Sequence, residues 1–286
     1  MRRNSKNRIL LGIIIVFALI FTGAVGYLIY GMIIKWNSEN NYNNIASSYA
    51  AHVDEYYTEN ETADYTGHLT SPNGTTVPEQ VEHTVDQHAD DNNGPVSFEE
   101  LRKQNKDIYA WIYVPGTNIN YPVLQSSEDD NFYLHHDVYK NYSFPGSIYT
   151  QAYNSKDWSD RLTVLYGHNM ASGAMFAHLH RFSNKSFFDS HPYIYVYTED
   201  RKLTYKIVSS HSYDDLHILN AFDFTKDDVF QAWIEQAKNP HSLYCNVRKD
   251  VDLNLDSKMI VLSTCLNSGS GRYLVEGVLI SNEQTK

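Results

Sequence analysis

The chain has 286 residues, of which 42% are hydrophobic and 20% charged, so it can form one large domain or two modest ones. Its formal net charge of -11 argues against nucleic acid as a partner, because phosphate backbones are bound by basic surfaces. Two cysteines exclude a disulfide-rich scaffold, and the sequence lacks the paired Cys/His spacing of a structural zinc site.

The first feature in chain order is an uncharged run over residues 9–34. It exceeds the ~20 residues that a helix needs to cross a bilayer, which predicts a transmembrane anchor. A cleaved signal peptide is the alternative, but its apolar region is usually about 7–15 residues long and ends at a small-residue cleavage site. Residues 1–8 form a basic tail with four Lys or Arg, and only Lys35 closely follows the span. The positive-inside rule therefore predicts a single-pass protein of the cell membrane with a cytoplasmic N-terminus.

Residues 35–96 are predicted to be an acidic extracellular linker. Residues 36–100 hold thirteen Asp or Glu and neither Lys nor Arg, and the segment has no sustained apolar period of 2 or 3.6. Repulsion among the acidic side chains favours an extended spacer. The net charge of the chain thus belongs mainly to this linker and says little about the ligand of the folded part.

The folded domain is predicted over residues 97–286. Ser97 and Glu100 have the spacing of a capping box, which predicts a short helix through Gln104. Helices are also predicted over residues 175–182 and 227–237. Runs of β-branched and aromatic residues between turn signals predict eight strands, over residues 109–114, 119–124, 147–150, 162–166, 193–198, 203–210, 258–264 and 272–280. Eight short strands without βαβ alternation predict a mainly β fold with peripheral helices, a closed eight-stranded β-barrel preceded by one transmembrane helix.

Cys265 ends the apolar strand that contains Ser263 and Thr264, and Arg272 begins the next strand after a Gly/Ser-rich loop. The two side chains can therefore face one cleft. A nearby guanidinium favours the thiolate form of a cysteine and can donate hydrogen bonds to a developing oxyanion. A disulfide between Cys245 and Cys265 is the alternative for an exported domain.

A cysteine nucleophile usually works with a histidine. Among thirteen histidines, His168 has the most suggestive setting, because it follows a strand that ends at Gly167 and opens a loop before a helix. His178 and His180 are interpreted as surface residues on different faces of that helix. The adjacent pair His135 and His136 has two interpretations, a lining of a binding groove and solvated surface, of which the second is favoured.

Four stretches in order, behind an N-terminal anchor, resemble the sortases, and most closely the class B sortases, which are cell-wall transpeptidases of Gram-positive bacteria. Residues 107–123 resemble the opening strands of the family, and residues 146–149 resemble its third strand. The segment Gly167-His168-Asn169, followed by Met175-Phe176, resembles the catalytic-histidine segment. The run Ser263-Thr264-Cys265 with Arg272 resembles the cysteine strand and its arginine. The resemblance covers residues 97–282, including the helical insertion near residues 227–237 that is typical of class B.

The resemblance implies that His168, Cys265 and Arg272 are the catalytic residues and that both cysteines are free. It also implies a peptide groove that includes Ser263 and Thr264, and no metal or organic cofactor. Two features depart from the family pattern. Cys265 and Arg272 are only seven residues apart, and Asn267 stands where some relatives have an acidic residue, so a carboxylate that orients the site is absent or comes from elsewhere.

The implied activity is that of an extracellular cysteine transpeptidase. It cleaves a sorting motif of the Asn-Pro-x-Thr type, or a related pentapeptide, after threonine and forms a thioacyl-enzyme. The protein is then transferred to an amine of a peptidoglycan precursor. Two alternatives remain open at this point: a pilin-polymerising sortase that uses a lysine side chain as acceptor, and a non-catalytic surface barrel displayed on the acidic linker.

Overall fold

A computed structural model describes residues 11–33, 36, 96–266 and 270–285. The first element is helix α1, Leu11–Ile33, which has 23 residues and contains an 18-residue stretch with a mean hydropathy of 2.5. At a rise of 1.5 Å per residue it is about 34 Å long, similar to the ~30 Å hydrocarbon thickness of a bilayer. Among the described residues it is the one helix long and apolar enough to cross a membrane. The linker predicted between residues 35 and 96 lies almost wholly outside the described residues.

Helix α2, Phe98–Gln104, confirms the capping prediction. The Ser97 hydroxyl accepts a hydrogen bond from the backbone N–H of Glu100, and acidic residues occupy the first turn of the helix. Phe98 and Leu101 are buried, so the helix packs its apolar side onto the barrel.

Eight strands of the described residues form a closed barrel. Their bounds are β1 Ile108–Tyr113, β2 Asn120–Leu124, β3 Ile148–Tyr149, β4 Leu162–Tyr166, β5 Tyr193–Tyr197, β6 Arg201–Tyr213, β8 Met259–Cys265 and β9 Arg272–Gln284. Their order around the barrel is β5-β1-β2-β3-β4-β8-β9-β6, and the pairing of β5 with β6 closes it. The predicted barrel is therefore confirmed. A ninth short strand that the sequence did not predict, β7 Cys245–Val247, pairs with residues 209–211 of β6, beyond the part of β6 that pairs with β5.

The remaining elements are short helices at the surface of the barrel. They are the 3-10 helices Phe132–Leu134 and Ala177–Ser183 and the α-helices α3 Lys185–Ser190, α4 Ile218–Ala221 and α5 Asp227–Lys238. The helix predicted over residues 175–182 thus forms, but as a 3-10 helix that begins two residues later. Helix α5 closely matches its prediction and packs Phe230, Trp233 and Ile234 against an outer apolar layer of the barrel.

The parallel pairing of β4 with β8 determines where the segments that contain His168 and Cys265 meet. Its register runs from Leu162 opposite Met259 to Tyr166 opposite Ser263. Parallel strands end at the same edge of a sheet, so the residues that follow Tyr166 and Ser263 lie side by side at one end of the barrel. Both strands are buried along most of their length, which fixes this end in position.

Candidate active site

Cys265 is the last residue of β8, where the buried apolar run reaches the surface. Its side chain is half-buried, whereas Ser263 and Thr264 immediately before it are almost fully buried. In the antiparallel ladder between β8 and β9, Cys265 lies directly opposite Arg272. Arg272 Nη1 is 3.6 Å from Cys265 Sγ, within hydrogen-bonding distance for sulfur. The structure therefore brings together the thiol and the guanidinium that the sequence selected.

Gly271 turns the chain into β9 with a φ of +86°. A Cβ at this position would lie 2.7 Å from the Tyr213 carbonyl oxygen, in addition to the strain of the left-handed conformation. Glycine is thus required one residue before Arg272, where the strand must pair closely with β6. Asn267, the second departure from the family pattern, lies outside the described residues.

Arg272 has a second partner, which the sequence did not reveal. Its Nη2 lies 2.8 Å from Oδ1 of Asp215, a residue in the loop that follows β6. The planar guanidinium therefore contacts a thiol with one nitrogen and a carboxylate with the other. The Asp215 side chain is 70% exposed, so water weakens the attraction, but the contact still limits the rotation of the fork. Asp215 is therefore a carboxylate from another part of the chain, one of the two possibilities left open because position 267 is an asparagine.

His168 follows the end of β4 and lies on the same cleft as Cys265. Its Nε2 is 2.9 Å from the Leu134 carbonyl oxygen, its ring stacks on Phe144 at 5.6 Å, and the His135 ring is 5.5 Å away. Burial lowers the pKa of His168, although the hydrogen bond to Leu134 partly opposes that effect. The folded protein thus favours a neutral imidazole that is ready to accept a proton.

Gly167 lets the chain approach the core just before His168. A Cβ here would lie 2.5 Å from Cδ1 of Ile148 and 2.8 Å from the Phe176 ring. The Gly167 N–H also donates to the Ser263 carbonyl oxygen at 3.2 Å, which continues the β4–β8 ladder by one bond. Close packing and this bond fix the backbone from which the imidazole projects.

These side chains surround one cleft of about 270 Å³. It is lined by Asn131, Leu134, Tyr149, Gln151, Tyr166, Gly167, His168, Asp215, Leu216, His217, Ile218, Ser263, Thr264, Cys265 and Arg272. All five residues selected from the sequence as catalytic or substrate-binding are in this set. Within the described part of the chain, three lining residues carry a buried polar atom without a hydrogen-bond partner, namely Gln151 Oε1, Tyr166 Oη and Thr264 Oγ1. Such atoms are costly unless a ligand or water satisfies them.

The interpretation of His180 as a surface residue is wrong, because its half-buried ring reaches β8, whereas His178 remains partly exposed. His180 Nε2 lies 3.0 Å from the Cys265 carbonyl oxygen, and its ring packs at 4.8 Å on Tyr273. His178 Nδ1 accepts a hydrogen bond from the Asn118 N–H at 3.0 Å. The sequence predicted a helix that presents the two histidines on different faces, and the segment forms the 3-10 helix Ala177–Ser183, from which His180 contacts Cys265 on β8.

The two cysteines are free thiols in very different settings. Cys245 is exposed on the edge strand β7, whereas Cys265 is half-buried in the cleft, so the disulfide alternative does not hold. Among the residues that the structure describes, no group of three or more His, Cys, Asp or Glu side chains could hold a metal ion.

The fold and the cleft together define a class of protein: a closed β-barrel with a thiol, a guanidinium and an imidazole around one cleft. Over residues 112–280 the sequence matches the family described as Sortase domain. It is 32% identical over 209 residues to sortase B of Listeria monocytogenes, which covers 70% of this chain and 81% of that protein.

Solved structures agree with the sequence comparison. Sortase B of Clostridium perfringens superposes with a TM-score of 0.59 at 32% identity, covering 65% of this chain and 100% of that one. A sortase B–substrate complex from Staphylococcus aureus gives a TM-score of 0.58 at 28% identity, covering 64% of this chain and 84% of that one. The chain therefore belongs to the sortase family, and its relatives make it a class B sortase, a cysteine transpeptidase.

Proposed function

We propose that this chain is a membrane-anchored extracytoplasmic transpeptidase in which Cys265, His168 and Arg272 carry out the chemistry. It cleaves a sorting motif after threonine and transfers the protein to a cell-wall amine. The observation that carries this proposal is the distance of 3.6 Å between Arg272 Nη1 and Cys265 Sγ, in a cleft that His168 also lines. The thiol, a charge-stabilising fork and a proton acceptor are then all within reach of one bound peptide.

Acylation begins when the Cys265 thiol gives its proton to His168. The thiolate attacks the carbonyl carbon of the threonine, and a C–S bond forms. Negative charge develops on the carbonyl oxygen, and the Arg272 guanidinium donates hydrogen bonds to it. The C–N bond then breaks, and the leaving amine takes the proton from the His168 imidazolium. A thioester between Cys265 and the threonine carbonyl remains.

The second half of the reaction reverses these roles. An incoming amine attacks the thioester carbonyl and loses a proton to His168. The C–S bond breaks, a new amide forms, and the Cys265 thiolate leaves with the support of Arg272. The lowered pKa of His168 suits the step in which neutral imidazole accepts a proton. Without an amine, water resolves the same thioester, so slow peptidase activity is expected.

The acyl donor in this proposal is the sorting-signal peptide of an exported surface protein. The Staphylococcus aureus relative is known in a sortase B–substrate complex, which supports a peptide in the corresponding cleft of this chain. Ser263 and Thr264 line the cleft next to the nucleophile, and Thr264 Oγ1 is one of its buried polar atoms without a partner. A peptide backbone can satisfy such atoms. The motif is taken to be of the Asn-Pro-x-Thr type or a related pentapeptide, and the acceptor an amine of a peptidoglycan precursor.

The anchor and the orientation complete the proposal. Helix α1 belongs to a transmembrane anchor over residues 9–34, the basic residues 1–8 remain in the cytoplasm, and residues 35–96 link the anchor to the catalytic domain at 97–286. The length and hydropathy of α1 support the anchor, and the excess of basic residues before it supports the orientation. Protease added to intact protoplasts should then remove the domain and leave a small membrane-bound stub. A fully protected domain would contradict this orientation.

The chemical part is tested by incubating the full-length protein with a library of sorting-motif peptides and measuring the mass of the intact protein. A thioacyl adduct on Cys265 is expected, which is absent in Cys265→Ala and retained in Cys245→Ala. Adding a peptidoglycan-type amine or a lysine-bearing pilin peptide identifies the acceptor by the product that forms. An unmodified wild-type chain across the library would overturn the transpeptidase proposal and favour a non-catalytic barrel.

A further inference from the structure

Two side chains that no step of the mechanism uses converge on the backbone of the nucleophile. The Cys265 carbonyl oxygen lies 3.0 Å from His180 Nε2 and 3.1 Å from Asn169 Nδ2. The Asn169 amide nitrogen is also 3.1 Å from His180 Nε2, so the three groups form a compact triangle. With its proton on Nε2, His180 donates to the carbonyl together with Asn169, and both lone pairs of the oxygen are used. We call these two side chains the carbonyl clasp.

The carbonyl clasp continues the sheet where the backbone can no longer do so. The β4–β8 pairing ends at Tyr166 opposite Ser263, and the Gly167 N–H makes the last backbone bond, to the Ser263 carbonyl. In a parallel ladder the next acceptor on β8 is two residues further on, the carbonyl of Cys265. The chain has turned away after Gly167, and the Asn169 side-chain amide takes that acceptor instead.

The position of Asn169 makes this bond relevant to catalysis, because Asn169 directly follows His168. The imidazole and the thiol come from different elements, a loop after β4 and the end of β8. A bond from Asn169 to the backbone of Cys265 fixes the distance between these two elements one residue away from the imidazole. A displacement of about 1 Å between reacting groups can cost on the order of 100-fold in rate.

His180 holds the same carbonyl from a third element, the 3-10 helix Ala177–Ser183. This helix is anchored by the buried side chains Leu179 and Phe182, so it provides a rigid base for the imidazole. The His180 ring also packs on Tyr273, which neighbours Arg272 on β9 and lies opposite Thr264. His180 therefore contacts both strands that carry the thiol and the guanidinium.

We infer that Asn169 and His180 are positioning residues, which hold the Cys265 backbone in register with His168 so that the proton can pass between them. This inference rests on the proposed roles of Cys265 and His168. It gives a positioning role to Asn169 and His180, which are not among the three proposed catalytic residues. Because the clasp acts on geometry within the enzyme, its loss should slow acylation at saturating peptide and leave peptide affinity nearly unchanged.

The test compares matched variants of the full-length protein by the rate of thioacyl formation at saturating peptide, by KM and by thermal melting. His180→Phe keeps a ring against Tyr273 but removes the donor, and His180→Gln keeps an N–H donor near the same place. Asn169→Asp keeps the shape of the side chain and replaces the donor by an oxygen. His178→Phe is the control, because it makes the same substitution on the same helix away from Cys265 and also removes a hydrogen bond.

His180→Phe and Asn169→Asp are expected to slow acylation by about 10- to 100-fold with KM changed by less than about 2-fold. His180→Gln should recover most of the rate, and His178→Phe should acylate nearly as fast as the wild type. One outcome is that the wild type forms the thioacyl adduct while the acylation rates of His180→Phe and Asn169→Asp fall no further than that of His178→Phe. This result would overturn the role of the carbonyl clasp but not the proposed function. His180→Gln as slow as His180→Phe would show that the donor is not what matters and would also overturn it. A wild type without any thioacyl adduct would overturn both the clasp and the proposed function.

Discussion

Arg272 binds Asp215 and approaches Cys265 at the same time: its Nη2 is 2.8 Å from the Asp215 carboxylate, and its Nη1 is 3.6 Å from the Cys265 sulfur. A guanidinium presents its donors in one rigid plane, so an acceptor on one side fixes the direction of the other side. Asp215 lies in the loop after β6, and this loop also supplies Leu216 and His217 to the cleft wall. The ion pair thus joins the wall of the cleft to the guanidinium that faces the Cys265 sulfur.

We expect Asp215→Ala to lower kcat/KM by about 2- to 5-fold. The effect is modest because an exposed ion pair contributes only about 0.2–1 kcal/mol. Asp252→Ala is the control, since this exposed aspartate does not line the cleft. Steady-state assays at low and high salt check the prediction, because salt should reduce the gap between wild type and Asp215→Ala. Equal losses in Asp215→Ala and Asp252→Ala would contradict a role in orienting Arg272.

Arg272→Lys should lose about 100-fold or more in kcat/KM, the range of an oxyanion-hole donor. Lysine keeps the positive charge but cannot contact Asp215 and the reaction centre with a planar fork. Binding of the peptide, measured with the unreactive Cys265→Ala background, should change much less. Turnover by Arg272→Lys close to the wild-type value would show that charge alone is enough and that the fork geometry is irrelevant.

His168→Ala should be rescued in part by a substrate whose leaving group needs no proton, because only the deprotonation of the Cys265 thiol then still lacks its acceptor. General acid catalysis is typically worth about 10²- to 10⁴-fold, and an activated thioester substrate does not require it. Acylation rates with the peptide and with the thioester, compared between His168→Ala and Arg272→Ala, separate the two roles. The thioester should restore His168→Ala far more than Arg272→Ala. Equal rescue of both variants would contradict the assignment of separate roles, general acid for His168 and oxyanion donor for Arg272.

Gly167→Ala should both destabilise the domain and impair catalysis. Its Cβ would lie 2.5 Å from Ile148 Cδ1, and overpacking of this kind costs about 1–3 kcal/mol. The backbone that carries His168 must move to relieve the clash, so acylation should slow as well. Gly12→Ala is the control, because a Cβ there meets nothing within 4 Å. Melting temperature and acylation rate test both effects, and an unchanged Gly167→Ala would show that the core can absorb the methyl group.

Much of the fold follows from local signals in the sequence. The bounds of β4 coincide with the predicted range, and the Ser97 cap begins α2 as expected, because alternation and capping act over a few residues. The strand β7 was not predicted, because three residues around Cys245 form a strand only through their pairing with β6. The extension of β6 to Tyr213 likewise depends on its pairing with β9, and the sequence of β6 alone carries no information about that partner.

The site could be predicted only where its residues are close in the sequence or lie in a segment that resembles a known family. Cys265 and Arg272 are strand-end residues joined by a short loop, so their proximity is visible in the sequence. Asp215 contributes to the site from 57 positions before Arg272, and His180 from 85 positions before Cys265. Contacts between residues so far apart in the sequence depend on how the whole barrel folds, and a pattern of a few neighbouring residues does not predict that.

A buried charge pair outside the cleft gives the domain a pH-dependent stability. His211 Nε2 on β6 lies 3.1 Å from Glu276 Oε2 on β9, and both side chains are almost completely buried. Burial alone would lower the pKa of His211, but the hydrogen bond and the negative charge of Glu276 outweigh it, so this pKa is raised. Ser209 also donates to the same carboxylate oxygen at 2.6 Å. The pair therefore stabilises the fold most when His211 is protonated.

Glu276→Gln should destabilise the domain more in mild acid than in base. The folded pKa of His211 lies above its ordinary value of 6.5, so the stabilisation is fully present below about pH 6.5 and is lost as the pH rises through the raised folded pKa. Breaking a buried pair costs about 3–5 kcal/mol. Urea unfolding at about pH 6 and pH 9 measures the difference between wild type and variant, which should be larger at pH 6. Glu283→Gln, an exposed change on the same strand, should show little difference at either pH. A loss in Glu276→Gln that is equal at both pH values would mean that His211 is neutral in the folded protein throughout this range.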